Sequence, residues 1–491
     1  MGACLKGLVV GLCVFTLTSC SQEEPTEFIR LENGHFLEQG APFFPVALNY
    51  IADLQWNDTA CWAASCRNYE RADRYRFSSR DSSLKQIEGE FTLIKRMGFN
   101  TVRIVGIASD LVFPPDGNVL HLSGRFGDGD DSLYTFAGAH EERYLQAIDE
   151  LLQVAERTDL KIILLVRLVP GEQQYEQRLE RLAQRFRDRP VLMAYDLFNE
   201  PLYFDLPHHR PKEDVYTVVQ RWRQLVRRHA PHQLVTIGLV GVPEVFAWDP
   251  NILDVDFISF HPYEYEPEQV PNEIHWYGEH VNKPWIIGET SIPADNDSVP
   301  YSDQLAFARK TLAQTVACGG IGYSWWQFKD VRWGKFHADH MGVMDRHGWT
   351  AAGPGLPPVE GTIKPVASAF MGFDPDSVQG SCVKLDNYYN FSSLSSAKLT
   401  GRIVDQDRQP IAGGVVLGWN ADWTRSYYTI SKPDGSFTLY GDFRFQHWMV
   451  SATRHAMVRG DCAPNTFLTG NDGIPELYLG ELELEWLPFA D

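Results

Sequence analysis

Two glutamates end two strongly apolar segments of this chain. Glu200 follows the run VLMAYDLFN at 191–199 and precedes Pro201, and Glu289 ends the run PWIIG at 284–288. Continuous apolar runs of this kind are typical of parallel strands that are covered on both faces. Proline prevents further strand pairing after the first run. The sequence therefore predicts a carboxylate at the carboxyl end of each of two buried strands.

A pair of carboxylates that face each other across a cleft suits the cleavage of a glycosidic bond. One carboxyl group must stay protonated to donate to the departing oxygen, and the other must be ionised to attack the anomeric carbon. Unequal surroundings are needed to separate the two pKa values. Arg103 and Tyr263 are the candidates for keeping Glu289 ionised. The hypothesis is that Glu200 and Glu289 form the catalytic pair of a retaining glycosidase.

Strand-like and helix-like segments alternate along the first three quarters of the chain. Eight apolar, β-branched runs at 43–51, 101–107, 161–166, 191–199, 234–240, 255–263, 284–291 and 321–329 are predicted strands. Segments with apolar residues at helical spacing lie between most of them, and a last one is expected at 364–370. This rhythm predicts an α/β fold, a (β/α)₈ barrel. A doubly wound open sheet is the alternative, but no Gly-rich turn follows the first strand.

In such a barrel the reacting groups gather at the carboxyl ends of the strands. The candidates there are Asn49, Tyr50, Arg103, Asn199, Glu200, His261, Tyr263, Glu289 and Trp326. Each also has a structural alternative as an ion-pair partner, a satisfied histidine or a core aromatic. Asn49, Tyr50 and Trp333 are expected only to line the cleft, and Trp325 is expected to face the helices as core. No metal is expected, because His337 and His340 lack a complete ligand set.

The motifs at four strand ends carry a family resemblance. Asn199-Glu200-Pro201 after strand 4, His261 and Tyr263 after strand 6, Gly288-Glu289 after strand 7 and the tryptophan of strand 8 resemble glycoside hydrolase family 5 over residues 30–370. The resemblance implies that Glu200 is the general acid/base and Glu289 the nucleophile, with no cofactor. It also implies that Arg103 braces the nucleophile and Tyr263 donates to it. Asn199 would bind the sugar 2-hydroxyl, His261 would contact the sugar or the acid, and Trp326 would stack under the reacting sugar.

Two features depart from the family pattern. Many members carry a histidine just after strand 3, whereas this chain has Arg167 there. The segments 53–80 and 110–140 are long and polar, and they are expected to narrow an open cleft towards a pocket. The substrates that the resemblance implies are β-glucan or β-mannan. A non-catalytic glycan-binding lipoprotein and a transglycosylase are the alternatives.

The last part of the chain changes in composition. After a predicted linker at 376–396, residues 397–491 form short alternating runs separated by turn signals such as Pro433-Asp434-Gly435. This segment resembles the carboxypeptidase regulatory-like β-sandwich, which implies a compact spacer or binding module. The barrel domain is then expected at 30–375.

The amino terminus resembles a bacterial lipoprotein signal. Lys6 precedes an apolar run at 8–17, and Leu17-Thr18-Ser19-Cys20 resembles a lipobox. The resemblance implies cleavage of residues 1–20 before Cys20, lipidation of its thiol and a tether at 21–29. The protein is then expected at the outer membrane, on the cell surface or the periplasmic face. An ordinary signal peptide is the alternative.

Composition limits the partners. Aromatic residues make up 13% of the chain, with 14 Trp, and their flat faces suit sugar rings. The formal net charge of −20 argues against nucleic acid, because phosphate contacts need Lys/Arg patches. The expected partner is an oligo- or polysaccharide, with membrane contact only through the lipid anchor, and the chain is expected to be a monomer. Cys61 and Cys66 could close a small disulfide, and Cys318 is predicted to be a buried free thiol.

Overall fold

The computed structural model describes residues 27–65, 79–109, 111–112, 121–126, 131–205, 210–263, 267–390, 396–463 and 466–489. The signal segment with Cys20 and the cysteine Cys66 lie outside these residues, so the lipid anchor stays a prediction. Cys61 is a buried free cysteine. Within the described ranges, no helix has the length and apolar character needed to cross a bilayer.

Eight parallel strands close into a barrel, as the sequence predicts. They are β1 Val46–Trp56, β2 Thr101–Gly106, β3 Lys161–Leu165, β4 Leu192–Asn199, β5 Leu234–Leu239, β6 Ile258–Phe260, β7 Trp285–Ile287 and β8 Tyr323–Trp325. Each strand pairs with the next one in the chain, and β8 pairs with β1 to close the ring. The carboxyl ends of all eight strands therefore share one rim.

Helices cover most of the outer surface of the barrel. The long ones are α1 Arg80–Arg96, α2 Ala139–Arg157, α3 Gln173–Phe186, α4 Lys212–His229, α5 Val270–His280 and α6 Tyr301–Ala317. Shorter pieces are Pro201–Phe204 and Phe336–Asp339 and the 3₁₀ turns Val242–Phe246, Pro267–Gln269, Pro365–Ala369 and Pro375–Ser377. The predicted last helix at 364–370 is thus a 3₁₀ turn. Gly98 follows the end of α1 with φ +96, and a Cβ there would lie 2.3 Å from the carbonyl oxygen of Phe370.

The opposite end of the barrel is closed by a small sheet from the beginning of the described chain. Its strands are Arg30–Glu32, His35–Glu38 and Ala41–Pro42. Ile29 and Phe36 belong to one buried cluster with Ile163, Phe257 and Ile286 of the barrel. The barrel interior is therefore a packed core that is closed at its amino-terminal end, and the rim of carboxyl ends is where a site can form.

The segments after β1 and β2 are more regular than the expected polar loops. β1 runs on to Trp56 and pairs with the antiparallel strand Cys61–Ser65, and a strand at His121–Phe126 pairs with the end of β1. Leu111–Val112 and Asp131–Thr135 pair with that strand in turn. The described part of these segments thus extends the sheet above the rim. Its apolar residues, such as Leu54 and Ala63, are buried. The many polar residues around them are the reason why the sequence predicted loops here instead of strands.

Two four-stranded sheets follow the barrel and pack face to face. One contains β9 Ala397–Val404, β12 Ser436–Gly441, β15 Leu468–Thr469 and β16 Pro475–Glu483, and the other contains β10 Val415–Trp419, β11 Ser426–Ile430, β13 His447–Ser451 and β14 Val458–Asp461. Leu399 and Leu439 from the first sheet share a buried core with Val416 and Val450 from the second. A hairpin of Trp349–Thr350 and Val359–Glu360 precedes this sandwich.

The sandwich covers a side of the barrel where an α-helix is missing. Every residue between β5 and β6 is described, and this segment contains only the 3₁₀ turn Val242–Phe246. β10 and β13 contact this turn, and Leu417 and Met449 of the sandwich belong to the same buried core as Val245 of the turn. The expected spacer or binding module is therefore packed firmly against the barrel.

The predicted linker is also fixed to the barrel. Cys318, at the end of α6, forms a disulfide with Cys382, with an S–S distance of 2.06 Å. The prediction of a free thiol at Cys318 is wrong, because its partner lies 64 residues further along the chain and no short spacing reveals it. The side-chain amide of Asn272 donates to Asn387 over 2.9 Å.

A buried lysine joins the two domains. Lys212, at the start of α4, is 3% exposed. Its ammonium donates to Asp249 at 2.8 Å in the barrel and to Ser451 Oγ at 3.1 Å and the Ala452 carbonyl at 2.9 Å in the sandwich. A buried charge requires such partners, because desolvation of an unpaired ion is very costly.

Replacing Lys212 tests the strength of this junction. Lys212→Ala leaves the carboxylate of Asp249 buried without its cation, so we expect the free energy of unfolding to fall by about 3–5 kcal/mol. Urea denaturation followed by tryptophan fluorescence measures the loss. Lys310→Ala, at an exposed position of α6, is the matched control. A change for Lys212→Ala as small as that of the control contradicts the buried ion pair.

Candidate active site

Glu200 and Glu289 face each other at the rim of the barrel. One carboxylate oxygen of each and one ring nitrogen of His261 all lie within 4.8 Å of one another. The Glu200 side chain is 16% exposed and that of Glu289 is 7% exposed. The two carboxylates predicted from separate strands thus form one pair, close to the surface but largely shielded from water.

Arg103 on β2 is the centre of the hydrogen-bond network beneath this pair. Its guanidinium is 1% exposed and donates to Asp196 at 2.8 Å, to Asn49 Oδ1 at 2.9 Å and to Asn199 Oδ1 at 2.7 Å. It also donates to Oε1 of Glu289. Arg103 therefore contacts groups from β1, β4 and the end of β7, and the predicted bracing of Glu289 has a direct structural counterpart.

Asp196 is absent from the set of predicted site residues. It lies on β4, fully buried, and accepts hydrogen bonds from Arg103 and from the Gly238 N–H at 3.2 Å. An aspartate within an otherwise apolar strand is the signal that could have revealed it, because a buried carboxylate needs a partner. Its hydrogen bond with Arg103 shows that its side chain lies on the inner face of the barrel.

Glu200 is held in an unusual backbone conformation. Its φ is +52 and its ψ is 64, in the left-handed region, and its N–H donates to the Gly238 carbonyl at 2.8 Å. Non-glycine residues in this region cost of order 1–3 kcal/mol and cluster at functional sites. Burial raises the pKa of the Glu200 carboxyl to about 7, although the charge of Arg103 opposes the rise. Glu200 is therefore mostly protonated below neutral pH.

A second buried glutamate fixes the segment that follows Glu200. Glu244 is 1% exposed, and its Oε1 accepts the N–H groups of Leu202 at 3.0 Å and Val240 at 3.2 Å. Burial raises the pKa of Glu244 to about 8. This residue lies in the turn after β5, where nothing in the local sequence distinguishes it from an exposed glutamate. It is a second site-supporting residue that the sequence did not indicate.

His261 lies between the two glutamates as a neutral group. Its Nδ1 is 3.1 Å from Glu200 Oε1 and 3.7 Å from Glu289 Oε1, and its Nε2 is 3.5 Å from Ser259 Oγ. Burial lowers the pKa of His261 to about 4. The imidazole is uncharged at neutral pH. It can therefore hydrogen-bond Glu200 without adding a positive charge, which would lower the pKa of the Glu200 carboxyl group. The sequence predicts that His261 contacts either the sugar or Glu200, and the structure places it beside Glu200.

Glu289 has a different environment from Glu200. Tyr263 Oη donates to Glu289 Oε2 at 3.3 Å, and Arg103 donates to Oε1. Burial raises the pKa of Glu289, and the charge and hydrogen bond of Arg103 oppose the rise. Charged donors stabilise the ionised form of a carboxyl group, and among the residues that the structure describes no charged side chain donates a hydrogen bond to Glu200. We therefore expect Glu289 to ionise before Glu200.

Aromatic side chains form one wall beside the glutamates. Trp326 follows β8, is 9% exposed and packs with Ile51, Tyr263 and Trp333. The rings of Trp326 and Trp333 are 6.0 Å apart, and the Trp326–Gln327 peptide bond is cis. Trp325 points the other way, as predicted. It is fully buried against Phe307 and Phe370 on the helix side.

The expectation that Asn49 and Tyr50 line the cleft is wrong. Asn49 is fully buried, and its amide donates to the carbonyl of Gly288 at 2.9 Å and to Ser324 Oγ at 3.0 Å. Tyr50 faces outward and donates its hydroxyl to Glu90 of α1. The reason is the length of β1, which continues beyond both residues to Trp56. Asn49 is a brace below the site, and Tyr50 is core.

Asn199 and Arg167 lie at the rim. The Asn199 amide oxygen accepts from Arg103, and its amide nitrogen donates to no residue that the structure describes. Arg167, after β3, has φ +36, and its guanidinium lies 5.1 Å from the ring centroid of Phe204. Arg167 makes no ion pair with a described residue. Both side chains therefore have polar groups available at the mouth of the site.

The trio Glu200, His261 and Glu289 is the one group of described residues close enough to hold a metal ion by distance. The guanidinium of Arg103 already occupies one Glu289 oxygen, and a cation there would face that fixed positive charge. The electrostatics of the site thus favour a carboxyl pair over a metal-binding site. His340, one of the two histidines considered as metal ligands from the sequence, lies 3.6 Å from Asp330 in a separate cluster.

Comparison with known protein families decides the classification. The model of the cellulases, glycosyl hydrolase family 5, matches residues 72–331. The chain belongs to this family. No protein with curated information matches the sequence. Among solved structures, a family 5 mannosidase from Rhizomucor miehei has a TM-score of 0.44 at 14% identity, covering 70% of this chain and 96% of that one.

Two further structures are similar at the same level. An endo-1,4-β-mannanase from Rhizomucor miehei has a TM-score of 0.43 at 12% identity, covering 61% of this chain and 90% of its own. A β-D-glucuronidase from Dictyoglomus thermophilum has a TM-score of 0.43 at 14% identity, covering 70% of this chain. This chain spans about half of the glucuronidase, 53% of its length.

The raised pKa of Glu200 has a consequence for stability. A carboxyl whose pKa is 4.5 unfolded and about 7 folded stabilises the fold in its neutral form, and this contribution is lost as the pH rises through 7. Glu200→Gln removes the titration. We expect the variant to be more stable than the wild type by about 3 kcal/mol at pH 8 and nearly equal to it at pH 4.5.

Urea denaturation at both pH values measures this difference. Glu268→Gln, at an exposed position, is the control and should show no such dependence on pH. A stability difference between Glu200→Gln and the wild type that is the same at both pH values would falsify the raised pKa.

Proposed function

We propose that this family 5 member hydrolyses β-glycosidic bonds of oligo- or polysaccharides with retention of configuration. The observation that supports this most is the separation of the carboxylates, whose oxygens lie within 4.8 Å. Retaining glycosidases hold their carboxyl groups about 5–5.5 Å apart, whereas inverting enzymes need roughly 6.5–9.5 Å to admit a water molecule. One oxygen of Glu200 lies within 4.8 Å of one oxygen of Glu289, and this short approach supports the retaining arrangement.

In the first step Glu289 is the nucleophile and Glu200 the acid. The ionised carboxylate of Glu289 attacks the anomeric carbon while the bond from that carbon to the leaving oxygen breaks. Glu200 gives its proton to the leaving oxygen, which departs as an alcohol. The products are a glycosyl ester on Glu289 and an ionised Glu200. The different hydrogen-bond partners of the two glutamates support this division of roles.

In the second step Glu200 acts as a base. The ester no longer carries the negative charge of Glu289, so the repulsion that disfavours an ionised Glu200 is removed. Glu200 takes a proton from a water molecule as the water oxygen attacks the anomeric carbon, and the bond from that carbon to the Glu289 oxygen breaks. Arg103 and Tyr263 receive the released carboxylate of Glu289. Two displacements restore the original configuration and the original protonation of both residues.

The neighbouring groups have roles that follow from their positions. Arg103 donates to both Asp196 and Glu289, which holds the Glu289 carboxyl group in place where an oxocarbenium-like transition state would form. The available amide nitrogen of Asn199 suits the sugar 2-hydroxyl, and the indole of Trp326 suits the flat face of the reacting sugar. Arg167 supplies a donor where related enzymes carry a histidine.

The family favours β-glucan or β-mannan as the substrate. A non-catalytic glycan-binding role is the weaker proposal, because Glu200 and Glu289 remain paired and have different hydrogen-bond partners. Transglycosylation shares the first step and differs only in whether a sugar hydroxyl replaces water in the second. We further propose that Cys20 carries a lipid anchor at the outer membrane, which the sequence Leu17-Thr18-Ser19-Cys20 supports.

Substrates with an activated leaving group separate the roles of the two glutamates. Loss of the acid in Glu200→Gln should slow cleavage of an unactivated glycan by about 10²–10⁴-fold. A 2,4-dinitrophenyl leaving group needs no proton to depart. The variant should therefore still form the ester from 2,4-dinitrophenyl β-glucosides or β-mannosides, or from the 2,4-dinitrophenyl glycosides of the corresponding disaccharides. Azide, which needs no base, should then restore turnover and give a β-glycosyl azide.

Glu289→Gln is the matched variant, because it changes the partner carboxylate in the same way. It should be inactive on both substrate types, and azide should not restore β-product formation. Product analysis by mass spectrometry and NMR identifies the azide adduct. Equal activity of the wild type and both variants would contradict the catalytic assignment.

A further inference from the structure

A row of three aromatic rings lies on the sandwich, outside the site described above. The ring centroids of Trp419 and Trp423 are 4.2 Å apart at an angle of 47°, and those of Trp419 and His447 are 5.4 Å apart and stacked at 26°. Trp419 ends β10 and pairs with His447 of β13, so both side chains lie on the same face of the sheet. Trp423 lies in the turn that follows β10.

This row is accessible from solvent. Trp423 is 44% exposed, and Trp419 and His447 are half-buried beneath and beside it. The three rings form one contiguous aromatic surface, and contiguous exposed surfaces of this kind, unlike single exposed side chains, mark interaction sites. The three rings continue the sheet face that packs on the barrel, so the row lies at the margin of the domain junction.

The turn presents Trp423 in a fixed orientation. Trp423 has φ +56, a left-handed conformation that is unfavourable for a residue with a large side chain. Its N–H donates to the Asn420 carbonyl at 3.2 Å, and the Asn420 side chain accepts the Arg425 N–H at 3.0 Å. Thr424 Oγ1 donates to Asp422 at 2.9 Å. The hydrogen bonds of the turn thus hold an unfavourable backbone that points an indole to solvent.

A carboxylate borders the rings. His447 Nδ1 lies 2.7 Å from Oδ1 of Asp461, whose side chain is 85% exposed. Each carboxylate oxygen can accept more than one hydrogen bond, so Asp461 can accept from a ligand while it remains bonded to His447. The surface therefore combines flat aromatic faces with an adjacent acceptor.

This combination matches the chemistry of a neutral sugar chain. The C–H groups on one face of a pyranose pack on the electron-rich face of an indole, and the hydroxyl groups around its edge donate to carboxylates. An anionic ligand such as a nucleic acid is disfavoured by the carboxylates of Asp461 and Asp422 and by the net charge of −20. An apolar partner would remove water from the Asp461 carboxylate without replacing its hydrogen bonds, which is unfavourable.

We propose that Trp423, Trp419, His447 and Asp461 form a glycan-binding surface that holds a neutral sugar chain outside the catalytic cleft. The inference that this chain is also the substrate rests on the proposed function of the barrel. Because Lys212 and the buried contacts with the turn after β5 fix the sandwich to the barrel, a bound polysaccharide stays at a constant distance from the cleft. Such a second contact raises the effective concentration of substrate at the first.

The test uses the full chain in a Glu200→Gln background, so that bound glycan is not consumed. Affinity electrophoresis in gels that contain barley β-glucan, glucomannan, galactomannan or hydroxyethyl cellulose gives the dissociation constant. Trp423→Ala should weaken retention by the best of these glycans by about tenfold. In the otherwise native enzyme, the same substitution should leave turnover of a small aryl glycoside unchanged.

Trp486→Ala is the matched control. Trp486 lies in the same domain and is also 44% exposed, but it packs on Arg454 and His455, outside the row. It should retain the affinity of the parent.

Three outcomes would overturn the proposal: no retention of the parent by any of the four glycans, equal affinity for Trp423→Ala and the parent, or equal losses in both tryptophan variants. A loss of self-association in Trp423→Ala, measured by sedimentation without a change in retention, would assign the row to a contact between copies instead. Failure of the proposed hydrolysis is separate. In that case the wild type cleaves none of the glycans while Trp423→Ala still binds them more weakly than its parent. That result would support the glycan-binding surface and contradict the catalytic assignment.

Discussion

The buried charge of Arg103 constrains the rest of this molecule. A guanidinium that is 1% exposed needs a full set of acceptors, and it finds them on Asn49, Asp196, Asn199 and Glu289. These groups come from strands that are far apart in the sequence, so they meet only when the barrel closes. The same contacts that satisfy the cation also fix the positions of the Glu289 carboxyl group and the Asn199 amide. Folding of the barrel and assembly of the site are therefore a single event.

The sandwich extends this dependence to the second domain. The turn after β5 places Glu244 under the Glu200 segment, and the other side of the same turn is covered by the sandwich instead of by an α-helix. Lys212 joins the sandwich to α4, the helix that follows the Glu200 strand. The accessory domain thus supports the region that carries Glu200. If its aromatic row binds glycan, support and capture are combined in one small domain.

The sequence was sufficient for features that repeat and insufficient for features that depend on register. Eight apolar runs and the amphipathic helices predicted the barrel, and glutamates at two strand ends predicted the pair. Whether Asn49 faces inward as a brace could not be predicted, because the end of β1 is not marked in the sequence. Asp196 is visible only once alternation along β4 is fixed. The Cys318–Cys382 disulfide joins residues whose proximity is created by the packing of α6.

The anomeric configuration of the first product tests the central claim most directly. Hydrolysis of a β-linked oligosaccharide of the kind that the enzyme cleaves can be followed by proton NMR from the first minutes, before mutarotation mixes the anomers. Two displacements through an ester on Glu289 predict that the β-anomer appears first and the α-anomer follows only at the rate of mutarotation. Initial release of the α-anomer would mean a single displacement by water, and it would contradict the account of Glu200, Glu289 and Arg103 given above.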